Sequence, residues 1–183
     1  MKKTVLLFLA LSLVVSCGKK ERPNVSLHKT GTTSESGKNY LNYNGLSFSY
    51  PDGWEIEKEV LEEDLGFSVT CEKKGLEYSE IFSVTWFKTT DTTPEEILES
   101  MLEGMKQSSY GKKIEVGSLY DSNFKGLDAV SKDYNLTLFG ETSYGRLTSF
   151  VMNGNTTIIS KSSDSKSKLD TEFQMIEESF KLK

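Results

Sequence analysis

Histidine is almost missing from this sequence. His28 is the only one in 183 residues, and cysteine is nearly as scarce, with Cys17 and Cys71 alone. A cysteine nucleophile needs a base within hydrogen-bond reach, and His28 lies in a polar stretch far from Cys71 in sequence. The patterns G-x-S-x-G, H-E-x-x-H, the P-loop and the dinucleotide fingerprint are also missing. No catalytic residue, metal ligand set or cofactor site therefore stands out, and no cofactor is expected. A basic stripe is lacking too: the net charge is −5, and it becomes −7 without Lys2 and Lys3. A mildly acidic chain with scattered lysines has nothing to track a phosphate backbone, which excludes nucleic acid as the expected partner. At 36% hydrophobic and 27% charged, the composition suits one soluble domain with a polar extension.

What is present begins at the N-terminus. Lys2 and Lys3 precede an apolar run, Thr4–Val15. That run has the length of a signal h-region and is too short to span a bilayer. It ends in Val14-Val15-Ser16-Cys17. This junction resembles the lipobox of bacterial lipoproteins. The resemblance implies a signal peptide over 1–16, cleavage after Ser16 and lipid on Cys17. The other reading is a buried N-terminal helix with a chance cysteine. Each buried CH₂ of an acyl chain contributes about 0.8 kcal/mol, so two or three chains make a stable anchor. With Cys17 lipidated, Cys71 has no partner for a disulfide. Its place in the strand-like run GFSVTCEKK suits a small buried hydrophobe better than a reactive thiol.

Residues 17–39 read as the lipidated cysteine and a flexible tether. Gly, Ser, Thr and Lys dominate, and such a stretch buries too little surface to order itself. Its typical reach is roughly 25 Å. His28 belongs to this solvated segment.

The folded domain is expected over 40–183. Leu46, Phe48 and Tyr50 alternate with serines, the period of a half-buried strand. Pro51-Asp52-Gly53 is a turn signal, and Trp54 restarts an alternating strand, so that the corner would set the register of two neighbouring strands. Phe67, Val69 and Cys71 share one strand face. Glu80–Lys88 has Ile81 on one face and Phe82, Val84 and Trp86 on the other, as a strand covered on both sides would. Thr93-Pro94-Glu95-Glu96 reads as a capping box with proline at the first helical position. Ile97, Leu98, Met101, Leu102 and Met105 then form one helical stripe, ending between Lys106 and Tyr110. Strands are expected over Lys113–Tyr120, Leu127–Phe139, Thr142–Met152 and Thr156–Ser162. A turn falls at Phe124-Lys125-Gly126, and Asn153-Gly154 is a strong hairpin signal. Leu169, Phe173, Ile176 and Phe180 mark a final amphipathic helix, with Ser167 and Asp170 as its capping pair.

The fold class that follows is α+β: a mostly antiparallel twisted sheet of about six or seven strands, sandwiched by helices. The order of the FSYPDGW corner, a proline-initiated helix, the Phe124-Lys125-Gly126 turn, an Asn-Gly hairpin and a last helix ending Glu178-Ser179-Phe180 resembles the PsbP-like family. That family shares an α/β/α sandwich with Ran-binding Mog proteins and DcrB-type bacterial lipoproteins. The resemblance spans roughly Tyr40–Lys183. It implies a binding or accessory module, as in photosystem stabilisation or GTPase binding, with no catalytic residue to carry over.

The other clusters have simpler readings. Glu62-Glu63-Asp64 is the densest acidic run, but adjacent carboxylates in an extended loop diverge, and a calcium site wants six to eight converging oxygens. Asp52, beside Gly53, and Asp128 would form an acid–base pair only through tertiary contact. Glycosylation-like triplets at Asn24, Asn135 and Asn155 read as chance matches. Tyr40, Tyr43, Tyr78, Tyr110 and Tyr144 lie near loops, where they would form a recognition rim. The expected function is thus a non-catalytic, lipid-anchored envelope module acting through protein–protein contacts. The alternative is a lipoprotein that binds a small molecule or cation in a groove between sheet and helices. A monomer is expected. Gly18 and Lys19 after Cys17 are not an acidic surface-export signal, which favours an outer-membrane anchor facing the periplasm.

Overall fold

Four two-residue turns organise the chain. Asn44-Gly45, Lys125-Gly126, Phe139-Gly140 and Asn153-Gly154 each have positive φ at both residues. This is the mirror-image turn whose twist matches that of paired strands. The computed structural model describes residues 32–33, 39–61, 65–73, 80–88, 92–107 and 112–183. The leader, Cys17, His28 and nearly all of the tether lie outside them, as do Asn24, Glu62, Glu63, Asp64, Tyr78 and Tyr110.

The strands are β1 (Thr32–Thr33), β2 (Asn39–Tyr43), β3 (Leu46–Tyr50), β4 (Trp54–Val60), β5 (Gly66–Lys73) and β6 (Ile81–Phe87). After helix α1 (Pro94–Gln107) come β7 (Lys112–Val116), β8 (Tyr120–Phe124), β9 (Leu127–Leu138), β10 (Glu141–Met152) and β11 (Asn155–Ser163). Helices α2 (Lys168–Thr171) and α3 (Gln174–Ser179) lead to β12 (Lys181–Leu182). Among the described residues the strands form two sheets. The larger has eight strands in the order β4-β5-β6-β11-β10-β9-β7, with β8 also on β9, and the smaller has the order β1-β2-β3-β12. The pairings are antiparallel.

The large sheet is covered on both faces, by different means. Helix α1 lies on one face, where Leu98, Met101, Leu102 and Met105 pack on Phe87, Val130, Tyr134, Leu147 and Ile158. Each such side chain contributes about 1.5–3 kcal/mol when removed from water. The capping box forms as its residues dictate. Thr93 N donates to Glu96 Oε2 at 3.0 Å, and Glu96 N to Thr93 Oγ1 at 3.3 Å. The other face buries Phe67, Val69, Phe82, Val84, Phe150 and Ile159 under the small sheet and under α2 and α3. Ser179 ties α3 to β3, its Oγ accepting from Ser49 N at 2.8 Å.

Four expectations need correction. The main sheet has eight strands rather than six or seven, and its second cover is a small sheet with two short helices. The Pro51-Asp52-Gly53 corner does not pair its flanking strands. β3 pairs with β2 and β12, β4 pairs with β5, and the corner carries the chain from one sheet to the other. The strand expected over Lys113–Tyr120 is two strands, β7 and β8, on the same side of β9. Gly117 N still bonds Asp133 O at 2.8 Å, but the ladder then skips to Tyr120. Finally, the last helix is broken between Thr171 and Gln174. Phe173 adopts φ −97 and ψ −3, which places its fully buried ring against Trp54 and Phe82. Ser167 makes no side-chain cap bond and instead pairs with Ser165 Oγ at 2.9 Å.

Candidate functional site

The described domain holds a single arginine, Arg146, on β10. Alternation along β10 turns Arg146 and Thr148 to the face shared with Phe150, under α2 and α3. There they line a cleft of about 190 Å³, with Tyr120 and Ser122 from β8, Ser131 from β9, Lys161 from β11, and Asp170 and Glu177 from the helices. The cleft lies where the apolar cover of the sheet gives way to polar side chains.

Each of its charges has an ionic partner, with Arg146 shared by two aspartates. Arg146 Nε donates to Asp133 Oδ1 at 2.7 Å, and Nη1 donates to Asp170 Oδ1 at 2.8 Å. Tyr120 Oη donates to the same Asp133 oxygen at 3.0 Å. Lys161 reaches Glu177 Oε1 at 2.7 Å with its side chain only 6% exposed. A buried ammonium of this kind requires such a partner. Ser122, Ser131 and Thr148 form a hydroxyl chain, each link 2.8 Å. Burial pushes the Asp133 carboxyl up, but the hydrogen bonds and charge of Arg146, with Tyr120, outweigh it and hold the group below the usual range. The hydrogen bond to Asp133 raises Arg146 still further above its ordinary value. Burial, more than the contact with Asp133, raises Tyr120.

A second ionic cluster sits at the strand end near β6. The Glu80 side chain is fully buried, with Lys168 Nζ 3.1 Å from Oε1 and Lys73 Nζ 3.3 Å from Oε2. Burial pushes Glu80 up, and the two lysines bring it below its ordinary value.

The residues singled out in the sequence do not gather here. Asp52 is exposed and accepts from Asn39 Nδ2 at 3.1 Å. Asp128 lies at the opposite end of the large sheet, beside the Lys125-Gly126 turn. The tyrosine rim is not assembled by Tyr43 and Tyr144, which pack against the core; Tyr43 meets Phe67 edge to face at 5.5 Å. Tyr40 alone of the described three is exposed, at 39%. Cys71 is free and fully buried, and burial pushes its thiol up to about 12. Among the described residues no three His, Cys, Asp or Glu are placed to hold a metal ion. Reasoning from motifs missed the cleft because it joins residues from β8 to α3 with no local spacing. The available signal was a lone arginine on a strand that carries one other charged residue, Glu141, at its start.

Comparison with solved structures gives the fold. The solution structure of cyanobacterial PsbP (CyanoP) from Synechocystis sp. PCC 6803 superposes with a TM-score of 0.59 at 15% identity, covering 84% of this chain and 99% of that one. The chain has a PsbP-like fold. LpqN of Mycobacterium tuberculosis, described as involved in cell envelope biogenesis, gives a TM-score of 0.49 at 14% identity, covering 75% of this chain and 82% of that one. No family profile and no curated protein sequence matches the chain. No helix among the described residues of this PsbP-like domain is long and apolar enough to cross a membrane.

Proposed function

We propose that this chain is a lipid-anchored cell-envelope protein whose PsbP-like domain is a binding or accessory module, acting through protein–protein contacts without catalysis. The observation that carries the non-catalytic reading is that every charge of the cleft is engaged in an ion pair. Arg146 is held between Asp133 and Asp170, and Lys161 lies on Glu177. Arg146 and Tyr120 hold the Asp133 carboxyl below its ordinary range, whereas a general acid or base works best near the operating pH. The anchor rests on the Val14-Val15-Ser16-Cys17 junction. On this reading 1–16 is removed, 17–39 carries the lipid and the tether, and 40–183 is the domain, held at the periplasmic face of the outer membrane. Cross-linking in intact cells, followed by purification from detergent-solubilised envelopes, tests it. A reproducible protein partner is expected, and its consistent absence contradicts the reading.

A second reading is that the cleft takes a small polar molecule. Its volume of about 190 Å³ and its hydroxyl lining favour this. A thermal-shift screen of polar metabolites checks it: a saturable rise in melting temperature, abolished in Arg146→Met, supports the reading, and no rise with any compound counts against it.

A further inference from the structure

Three of the four two-residue turns place a residue with a local reason at the left-handed position. Asn44 and Asn153 are of the residue type that, after glycine, adopts that conformation most readily. Lys125 uses it to reach the end of α3, its Nζ donating to Glu178 O at 2.6 Å and Phe180 O at 3.1 Å. Phe139 is the exception. It sits at φ 52 and is 88% exposed. A bulky aromatic side chain is disfavoured in that conformation, and the fold gains almost no burial from this one.

The hairpin that carries Phe139 is firmly built. β9 and β10 stay paired to Leu138 and Glu141. The Thr137 and Thr142 hydroxyls bond across it at 2.9 Å, and β7 flanks it as far as Lys112. β11 stops opposite Tyr144, at Ser163. The tip therefore overhangs β11 by about 10 Å, three residues of strand.

The register of the sheets fixes which way the tip points. From Phe139 the same end of the large sheet runs through Ser163, Ile81, Lys73 and Trp54. Trp54 follows the corner from Tyr50, and Tyr50 pairs with Asn39. Asn39 is thus at the end of the fold that carries the Phe139 tip, and the chain coming from Cys17 joins the described fold beside it, at β1, where Thr33 pairs with Asn39 and Thr32 with Tyr40. Taking the anchor reading of Cys17 as its basis, we propose that the Phe139 tip seats in the bilayer that holds the chain's own lipid. A bilayer accepts one apolar side chain without a shaped pocket, and aromatic rings favour its interface. A protein hot spot would instead cluster several anchors, and Gly140, Glu141 and Thr142 beside Phe139 are exposed but not apolar.

The test uses the full lipidated chain in vesicles that contain brominated lipid. Phe139→Trp places a reporter at the tip, Val151→Trp places one at the opposite sheet end, and the wild type with Trp54 and Trp86 sets the baseline. Sedimentation with the vesicles is scored first. Expected is at least roughly twofold quenching of the emission added at the tip, the depth of an interfacial aromatic, with none at position 151. Equal quenching at both positions, or none at 139 in protein that sediments, overturns the proposal while leaving the anchor intact. Protein that fails to sediment overturns the anchor, and the proposal with it. Should Phe139→Trp disturb the fold, hydrogen exchange on the wild-type chain decides. Amides of 137–142 slow on vesicles relative to Cys17→Ala protein in solution, and unchanged exchange refutes tip insertion.

Discussion

Trp54 and Phe173 meet edge to face, with ring centroids 5.9 Å apart and planes at 85°. The contact joins the first strand of the large sheet to the break between α2 and α3. It explains why the Pro51-Asp52-Gly53 corner lies where it does: the turn delivers an indole, 6% exposed, onto the ring that interrupts the last helix. Trp54→Ala should cost about 3–5 kcal/mol, through lost transfer energy and the cavity left behind. Urea denaturation measures it, and a loss below about 1 kcal/mol contradicts the burial of the ring.

Glu80 gives a pH signature. Its folded value lies below its unfolded one, so its charge stabilises above the unfolded value and is lost as pH falls through the folded value. Glu80→Gln should therefore cost about 1–3 kcal/mol at pH 7, less than a sealed pair because Lys73 and Lys168 are each more than a third exposed. The gap between wild type and variant should close as pH falls below about 4, the ordinary carboxylate range. Thermal melts from pH 7 to pH 3 test this; a gap that stays constant with pH would show that the charge does not matter.

Gly145 lies directly opposite Tyr134 in the β9–β10 ladder. A Cβ at 145 would overlap the buried Tyr134 ring, at Cζ, Cε1 and Oη. Gly145→Ala should destabilise by about 1–3 kcal/mol through overpacking. Combining it with Tyr134→Leu should recover part of that loss, and denaturant midpoints of the two single variants and the double variant give the coupling.

Phe139→Asn should stabilise the isolated fold, by roughly 0.5–1 kcal/mol, because asparagine tolerates the left-handed position and no packed ring is lost. A melting temperature below wild type would show that the ring contributes to the fold after all.

Local chemistry carried much of this fold in readable form. Thr93 and Glu96 announced the start of α1, Asn153-Gly154 its hairpin, and Ile81 set against Phe82, Val84 and Trp86 a strand covered on both sides. These depend on neighbours within a few residues. The division into two sheets was hidden because Tyr50 and Trp54 each alternate correctly, and alternation does not say which sheet a strand joins. The helix break at Phe173 was hidden because Leu169, Phe173, Ile176 and Phe180 fit a 3.6 period whether or not the helix is continuous. The cleft was least visible: Asp133, Arg146, Asp170 and Glu177 are brought together only by β9, β10 and the two short helices.

The anchored reading is tested most directly by intact mass spectrometry of the mature protein purified from its native membrane. Expected are a chain that begins at Cys17 and carries acyl chains, and a Cys17→Ala protein that leaves the membrane fraction. A mature chain that retains residues 1–16, or one with an unmodified Cys17 and unchanged fractionation, would contradict it.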